Sequence, residues 1–302
     1  MSTRIIVDST IDLMPDITQR VTTVPLSILF GTQEYLDGVT MSHEEFYTKL
    51  KDSDKLPTTS QPTPLAFKQT FDEITAQGDE AIVFTISSKL SGTYQTASMI
   101  AQDYDNIHVI DSHTATIGTG ILVEQAFRYI DAGEDLATII DKINANKDRI
   151  CVVALLDTLD YLARGGRIPK AAAAAGSLLK IKPVVALVDG EISLLDKAHG
   201  RKQGNTLLMH EVESAGCVDF ERPTLLGYTG TTEKLLERYI DTSSELWREH
   251  VKTIRYTSIG SVIGTHTGPN AVVVAFFRKQ LTKSPRTSIT RFLGLTFIST
   301  LL

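Results

Sequence analysis

The chain has 302 residues, 42% of them hydrophobic and 22% charged, with a net charge of −6 and an isoelectric point near 5.7. Length suggests two domains, and the composition is that of an ordinary folded protein. The acidic balance disfavours nucleic acid and an anionic membrane as partners of the whole protein.

In chain order, Arg4 leads straight into a short strand and Asp8, with no apolar segment of signal-peptide type. Strands are predicted over 4–8, 21–30, 81–86 and 107–111, with helices or loops between them, which is the βαβ rhythm of a parallel sheet. Ile82-Val83-Phe84 is apolar on both faces, as buried parallel strands are. Helices are predicted over 42–50, with Glu44 and Glu45 in the first turn, and over 65–76, capped by Thr63 with Pro64 at the first helical position. Two more are predicted over 117–132, stopped by Gly133, and over 134–147.

The second half changes character. A strand is predicted over 149–155, where Cys151 is expected as a buried thiol. A short helix over 157–164 closes at Gly165-Gly166, and an alanine-rich helix follows over 171–180. Strands over 183–188 and 191–195 flank Asp189-Gly190, a type I′ hairpin signal. Further strands are predicted over 224–228, 252–257 and 271–277. The expected fold class is therefore α/β in two domains: an N-terminal parallel-sheet α/β domain, residues 1–149, and a C-terminal α+β domain with a mixed or antiparallel sheet, residues 150–281. Residues 282–302 form an atypical tail whose apolar end, 294–302, is too short to span a bilayer as a helix. Cys151 and Cys217 stand far apart and outside any C-x-x-C spacing, which fits a reducing cytoplasm.

Chemistry-bearing residues cluster in a few segments. Ser87-Ser88-Lys89-Leu90-Ser91-Gly92-Thr93 empties a buried strand into a helix, so Ser91 and the amides of Gly92 and Thr93 sit at a helix N-terminus, where a small anion such as a carboxylate is favoured. The competing explanation is a simple helix cap. Lys55 to Pro64 packs three prolines and four hydroxyl residues into a stiff loop that includes Thr59-Ser60-Gln61. Of seven histidines, His43 and His250 read as surface residues, whereas His266 lies in a Thr/Gly/Pro loop before an apolar strand and can reach a ligand. Arg164, Arg167 and Arg201 stand beside glycines, which lets a guanidinium approach a carboxylate or phosphate; taken singly, each is better explained as a solvated residue at a helix end. Five consecutive alanines at 171–175 suit close packing or a neighbouring apolar ligand.

Several motifs are missing. The sequence has no G-x-x-x-x-G-K-[ST], no H-E-x-x-H, no metal-spaced His/Cys cluster and no G-x-S-x-G elbow. Gly118-Thr119-Gly120 lies inside a helical segment and lacks the third glycine of a dinucleotide fingerprint. No cofactor is expected.

Taken together, the segments resemble the DegV family, whose characterised members are the fatty-acid-binding (FakB) subunits of bacterial fatty acid kinase. The resemblance rests on Ile6-Val7-Asp8-Ser9-Thr10 with Asp12-Leu13; Thr59-Ser60-Gln61-Pro62; Ile86 through Tyr94; Asp111-Ser112 with Gly118-Thr119-Gly120; Leu162 through Ile168; and His266-Thr267-Gly268-Pro269. These come in the family's order and cover residues 4 to about 278. The resemblance implies a two-domain α/β protein that buries a long-chain fatty acid, with residues 150–281 as the lipid-binding domain. It implies that Thr59, Ser91 and His266 hold the carboxylate, that the Gly92 amide is a further donor, and that Arg167 and Arg201 serve the head group or a partner. It also implies a non-enzymatic carrier that presents the acyl carboxylate to a separate kinase subunit using ATP and magnesium, in the cytoplasm, in the service of phospholipid synthesis and with transient membrane contact allowed. A different class, a serine hydrolase with Ser91 as nucleophile, His266 as base and Asp8 or Asp111 as orienter, uses the same residue types.

Overall fold

The computed structural model describes residues 2–169 and 181–279. Elements of the first half run β1 (Thr3–Asp8), α1 (Pro15–Thr18), β2 (Val21–Val24), β3 (Ser27–Phe30), β4 (Gln33–Leu36), α2 (His43–Lys51), β5 (Thr58–Ser60), α3 (Pro64–Ala76), β6 (Glu80–Thr85), α4 (Thr93–Ala101), β7 (Ile107–Asp111), α5 (Thr116–Asp131) and α6 (Leu136–Asn146). Strands β2-β1-β6-β7 form an all-parallel sheet, and β4-β3-β5 form a small antiparallel one. The one strand expected over 21–30 is thus two strands in two sheets. Pro25 separates them, because it has no N–H to continue a ladder.

The second half adds β8 (Ile150–Leu155), α7 (Asp160–Arg164), β9 (Ile181–Val188), β10 (Glu191–His199), α8 (Arg201–Ser214), β11 (Thr224–Tyr228), α9 (Lys234–Thr242), α10 (Ser244–Trp247), β12 (Tyr256–Ser258), α11 (Ser261–Thr267) and β13 (Val272–Phe277). Its sheet has the order β10-β9-β8-β13-β11-β12 and is mixed, since only β11 and β12 pair in parallel. Asp189 and Gly190 both take positive φ, 50° and 82°, as the type I′ turn between β9 and β10 requires. The strand expected over 252–257 begins in a 3₁₀ segment, Arg248–Thr253, and only Tyr256–Ser258 pairs. The alanine-rich helix expected over 171–180 and the tail 282–302 lie outside the described residues. Cys151 is half-buried and Cys217 exposed, and both are free; burial pushes the Cys151 thiol up to about 11.

Helix α5 joins the two sheets. It packs on β6 of the parallel sheet and on β8, β11 and β13 of the mixed one, and Thr116 through Phe127 are all buried. A helix apolar on every face belongs in such a place. The glycines of Gly118-Thr119-Gly120 make the approach possible. A Cβ on Gly120 would sit 2.3 Å from the Asp12 carbonyl oxygen, and one on Gly118 would sit 2.4 Å from Val152.

A group of buried carboxyls ties the halves together. Asp8 closes the end of β1 by accepting from the amides of Thr10 and Ile86, at 2.9 and 2.8 Å. Asp12 accepts from the Thr116 hydroxyl at 2.6 Å and from the Gly260 amide at 2.8 Å. Asp37 accepts from the Ser261 amide at 3.3 Å. Both latter carboxyls therefore meet the N-terminus of α11, where unpaired amides and the helix dipole favour them. Tyr47 donates to the Ile259 carbonyl at 2.9 Å. His43, expected at the surface, is half-buried instead and pairs with Ser258 at 3.0 Å. Ser42 caps α2 and so fixes His43 at its first turn, facing the second half.

Burial pushes Asp12 up to about 8 and Asp8 up to about 6, against the hydrogen bonds that favour their ionised forms. An unfolded carboxyl titrates near 3.9. The folded state therefore keeps protons that the unfolded state has released, and stability falls as pH rises through the folded values. Asp12, pushed up to about 8, carries the fall above pH 7 together with Asp37, whose carboxyl burial also raises. Urea unfolding should show a loss on the order of 1 kcal/mol across that interval, the limiting slope being about 1.4 kcal/mol per pH unit for one group. Asp12→Asn, which mimics the neutral acid, should flatten it. A wild-type stability that rises with pH there would mean that Asp12 is ionised in the fold.

Candidate functional site

A cavity of about 250 Å³ is lined from both halves of the chain. Its walls are mainly apolar, with Leu156, Val185, Leu187, Ile192, Ile263 and Val273 among them. The polar exceptions include Thr59, Gln61, Ser91, Gly92, Arg167 and His266.

These polar groups touch one another in a ring. Thr59 is on β5, not in a loop, and its partner Ile28 on β3 fixes which way it faces. Its Oγ1 lies 3.0 Å from Nε2 of His266. His266 in turn is on the last turn of α11 rather than in a loop, so the hold of Asp12 and Asp37 on that helix also positions the imidazole. Gly165 lies against the ring face of His266; a Cβ there would come within 2.2 Å of Nδ1. Arg167 donates from Nη1 to the Gly165 carbonyl at 2.6 Å and from Nε to the Leu90 carbonyl at 3.1 Å. Leu90 precedes Ser91 and Gly92 in the connection between β6 and α4. Gln61 closes the ring: its Oε1 occupies the space a Gly92 side chain would need, and its Nε2 donates to Thr96 on α4 at 2.6 Å.

Within that ring the hydroxyls are aimed by neighbours. Ser91 Oγ accepts from the Thr93 amide at 3.4 Å and lies 2.9 Å from the buried Thr93 hydroxyl. With the Thr93 O–H donating to Ser91, the Ser91 proton is free for the cavity. Burial, reinforced by the positive charge of Arg167, pushes His266 down to about 4. Its Nδ1 is buried and has no hydrogen-bond partner among the described residues. A buried lone pair without a partner is tolerated better than a buried N–H without one, so the neutral ring carries its proton on Nε2 and donates to Thr59. The Thr59 proton is then free as well. Thr116, whose hydroxyl is held by Asp12, also lines the cavity, with φ of 50°, an unusual conformation for a β-branched residue.

Arg201 is not among the cavity-lining residues. It bonds Asp157 at 3.2 Å and the Asn270 carbonyl at 2.6 Å, and burial lowers its pKa. Gln61 lay in a segment noted from sequence without a role of its own, and of Thr93 only the amide was singled out, not the hydroxyl. Only Gln61, between the paired Thr/Ser and Pro62, carried a sequence signal. Nor are the elements of a hydrolase assembled. Ser91 partners Thr93 and His266 partners Thr59, while Asp8 and Asp111 accept from other groups: Asp8 from Thr10 and Ile86, Asp111 from the amides of Ser88 and His113. Among the described residues, no group of three or more His, Cys, Asp or Glu could hold a metal ion, and no helix is long and apolar enough to cross a membrane.

The family model described as "Uncharacterised protein, DegV family" matches residues 2–279. The chain belongs to the DegV family. A DegV domain-containing protein of Caldanaerobacter subterraneus subsp. tengcongensis is 37% identical over 281 residues, which is 91% of this chain and 98% of that one. Two solved structures share the fold. A stearic-acid-binding protein from Eubacterium ventriosum is 30% identical, covers 92% of this chain and 99% of its own, and superposes with a TM-score of 0.80. A DegV protein from Thermus thermophilus, described by its fatty acid binding, is 28% identical over 92% of this chain and 100% of its own, at a TM-score of 0.81. Thr59, Ser91 and His266 all fall inside the DegV match.

His266 gives a direct test of this geometry. Its ring resonances should show no titration between pH 5 and 8 by NMR, whereas an unperturbed imidazole in a model peptide titrates near 6.5. In Gly165→Ala the ring must move, and the contact with Thr59 should be lost. A His266 that titrates normally in the wild type would contradict the buried, Thr59-bonded ring.

Proposed function

We propose that this DegV protein is a cytoplasmic carrier that buries a long-chain fatty acid in the apolar cavity and offers its carboxylate to a separate ATP-dependent kinase for acyl-phosphate formation. The observation that carries the proposal is the convergence of the Thr59 and Ser91 hydroxyls and one arginine on an otherwise apolar cavity. Such a lining suits an amphiphile with a long apolar body and one anionic end. The stearic acid bound by the Eubacterium ventriosum relative supports that choice.

In this proposal Thr59 and Ser91 donate their hydroxyl protons to the carboxylate, and the Gly92 amide adds a donor at the start of α4. His266 acts through Thr59, turning the hydroxyl proton toward the ligand. Arg167, tethered by two backbone carbonyls, supplies positive charge nearby. Arg201, held by Asp157 and the Asn270 carbonyl, takes no part in holding the carboxylate. A chain of about fifteen buried methylenes gains roughly 12 kcal/mol of gross transfer free energy at ~0.8 kcal/mol each. Ordering and association offset much of this, and the remainder supports retention through purification. The kinase step is assigned to a second protein because this sequence has no nucleotide-phosphate motif.

Organic extracts of the purified protein should yield a near-stoichiometric fatty acid by mass spectrometry. A lipid-free protein that also refuses added oleate would rule the proposal out. Thr59→Val and Ser91→Ala should each weaken oleate binding by about tenfold or more, the cost of removing a donor to a charged acceptor being roughly 1.5–3 kcal/mol. His266→Ala should weaken it less than Thr59→Val, because the hydroxyl remains.

Carrier and hydrolase separate in a second assay. The protein alone should not turn over p-nitrophenyl esters above background. With a matching fatty acid kinase, ATP, Mg²⁺ and fatty acid, it should support acyl-phosphate formation, trapped as the hydroxamate. Ester turnover that depends on Ser91 without kinase would favour the hydrolase instead.

A further inference from the structure

Helix α5 reaches a second polar cavity at its far end. Thr116, at its start, lines the cavity described above, whereas Glu124 and Arg128, roughly 12 and 18 Å further along the axis, line a different one of about 230 Å³. There three guanidiniums, those of Arg128, Arg222 and Arg255, meet a single carboxylate, Glu124. Glu124 is shared by Arg128, at 3.3 Å, and Arg255. Arg222 is left over. Its Nε approaches Asp219 at 3.5 Å, but Asp219 already pairs with Arg149 at 3.2 Å. Its guanidinium lies 5.3 Å from the centre of the Phe277 ring, and its Nη1 is buried with no hydrogen-bond partner among the described residues. The hydroxyl of Thr224, on the same cavity wall, is likewise buried and without a partner.

The walls are stiff. Phe220 and His250 stack with ring centres 4.1 Å apart and planes 12° from parallel, over a fully buried Trp247. In a chain of net charge −6, the residues lining this concave site carry an excess of two positive charges, and two donors without partners are buried in its wall. Buried polar groups ordinarily have partners, and an arginine fork matches the oxygens of phosphate in pairs.

We propose that this cavity is a second binding site, separate from the fatty-acid cavity, for a dianion of the phosphate-monoester class, held by Arg222 and Arg255 with the Thr224 hydroxyl. A phosphate monoester carries close to two negative charges at neutral pH, which balances the local excess. The site does not depend on what the first cavity binds.

The test is calorimetric titration of the full-length protein with two probes, inorganic phosphate and the water-soluble dihexanoyl phosphatidic acid. Saturable binding of one equivalent is expected. Arg222→Met keeps the stem over Phe277 and should weaken binding about tenfold or more. Thr224→Val removes only a hydroxyl that has no partner, so it should weaken binding several-fold without lowering Tm. Binding of inorganic phosphate assigns the site to a free or soluble phosphate. Binding of the phosphatidic acid alone assigns it to a lipid head group, and both outcomes uphold the site. Absence of binding by either probe at roughly 10 mM, far weaker than ordinary ligand affinity, overturns it. So does binding that neither substitution changes.

Discussion

The capture of the Gly260 and Ser261 amides by Asp12 and Asp37 is the contact on which the rest of the site depends. It fixes the start of α11, and two turns later that helix delivers His266 to Thr59. Asp12 also holds Thr116, the first residue of the helix that separates the two sheets. One carboxyl thus sets both the imidazole and the central helix. The arrangement makes the cavity a property of two distant chain segments rather than of either half alone. Loss of one partner would leave a buried polar group unpaired, which is costlier than the bond itself is worth.

Burial gives the site its electrostatic character. Burial pushes Asp12 up to about 8 and His266 down to about 4, so both are neutral at pH 7, whereas Asp8, at about 6, keeps its charge against the amides of Thr10 and Ile86. What remains for a ligand is a set of hydroxyl donors and the single cation of Arg167. In an apolar cavity such donors act more strongly than they would in water.

The sequence was legible where local chemistry decides the outcome. Buried parallel strands showed in Ile82-Val83-Phe84, and the hairpin turn in Asp189-Gly190. Ser91, Gly92 and His266 stood out because hydroxyls, glycines and a loop-like histidine adjoin apolar segments, whereas Thr59 and Arg167 were singled out within their segments by the resemblance to the DegV family. The positions that depend on long-range contact were not legible. Pro25 marks a break in the strand expected over 21–30, but nothing local says that β3 leaves for another sheet. His43 looks like a surface residue until Ser258, 215 positions away, is beside it. Gly118 and Gly120 resemble a fragment of a phosphate loop, and only the approach of Asp12 and Val152 shows them as packing glycines. His266 reads as a loop residue because Thr265, Thr267 and Gly268 are weak helix formers, yet the two carboxyls at the helix start outweigh that preference.

The same burial that suits the cavity to an apolar chain also disarms its catalytic residue types. A serine nucleophile needs a base able to take its proton near neutral pH. His266 sits well below that range and spends its Nε2 on Thr59. Its Nδ1 meets Gly165 instead of an orienting carboxylate, and the space is too small for one, since even a methyl group there would collide with the ring. Ser91 is tied to Thr93. Converting this ring to hydrolysis would need a carboxylate where Gly165 stands and water where the cavity is apolar. The hydrogen bonds that hold Ser91 to Thr93 and His266 to Thr59 are therefore not those of a nucleophile and its base.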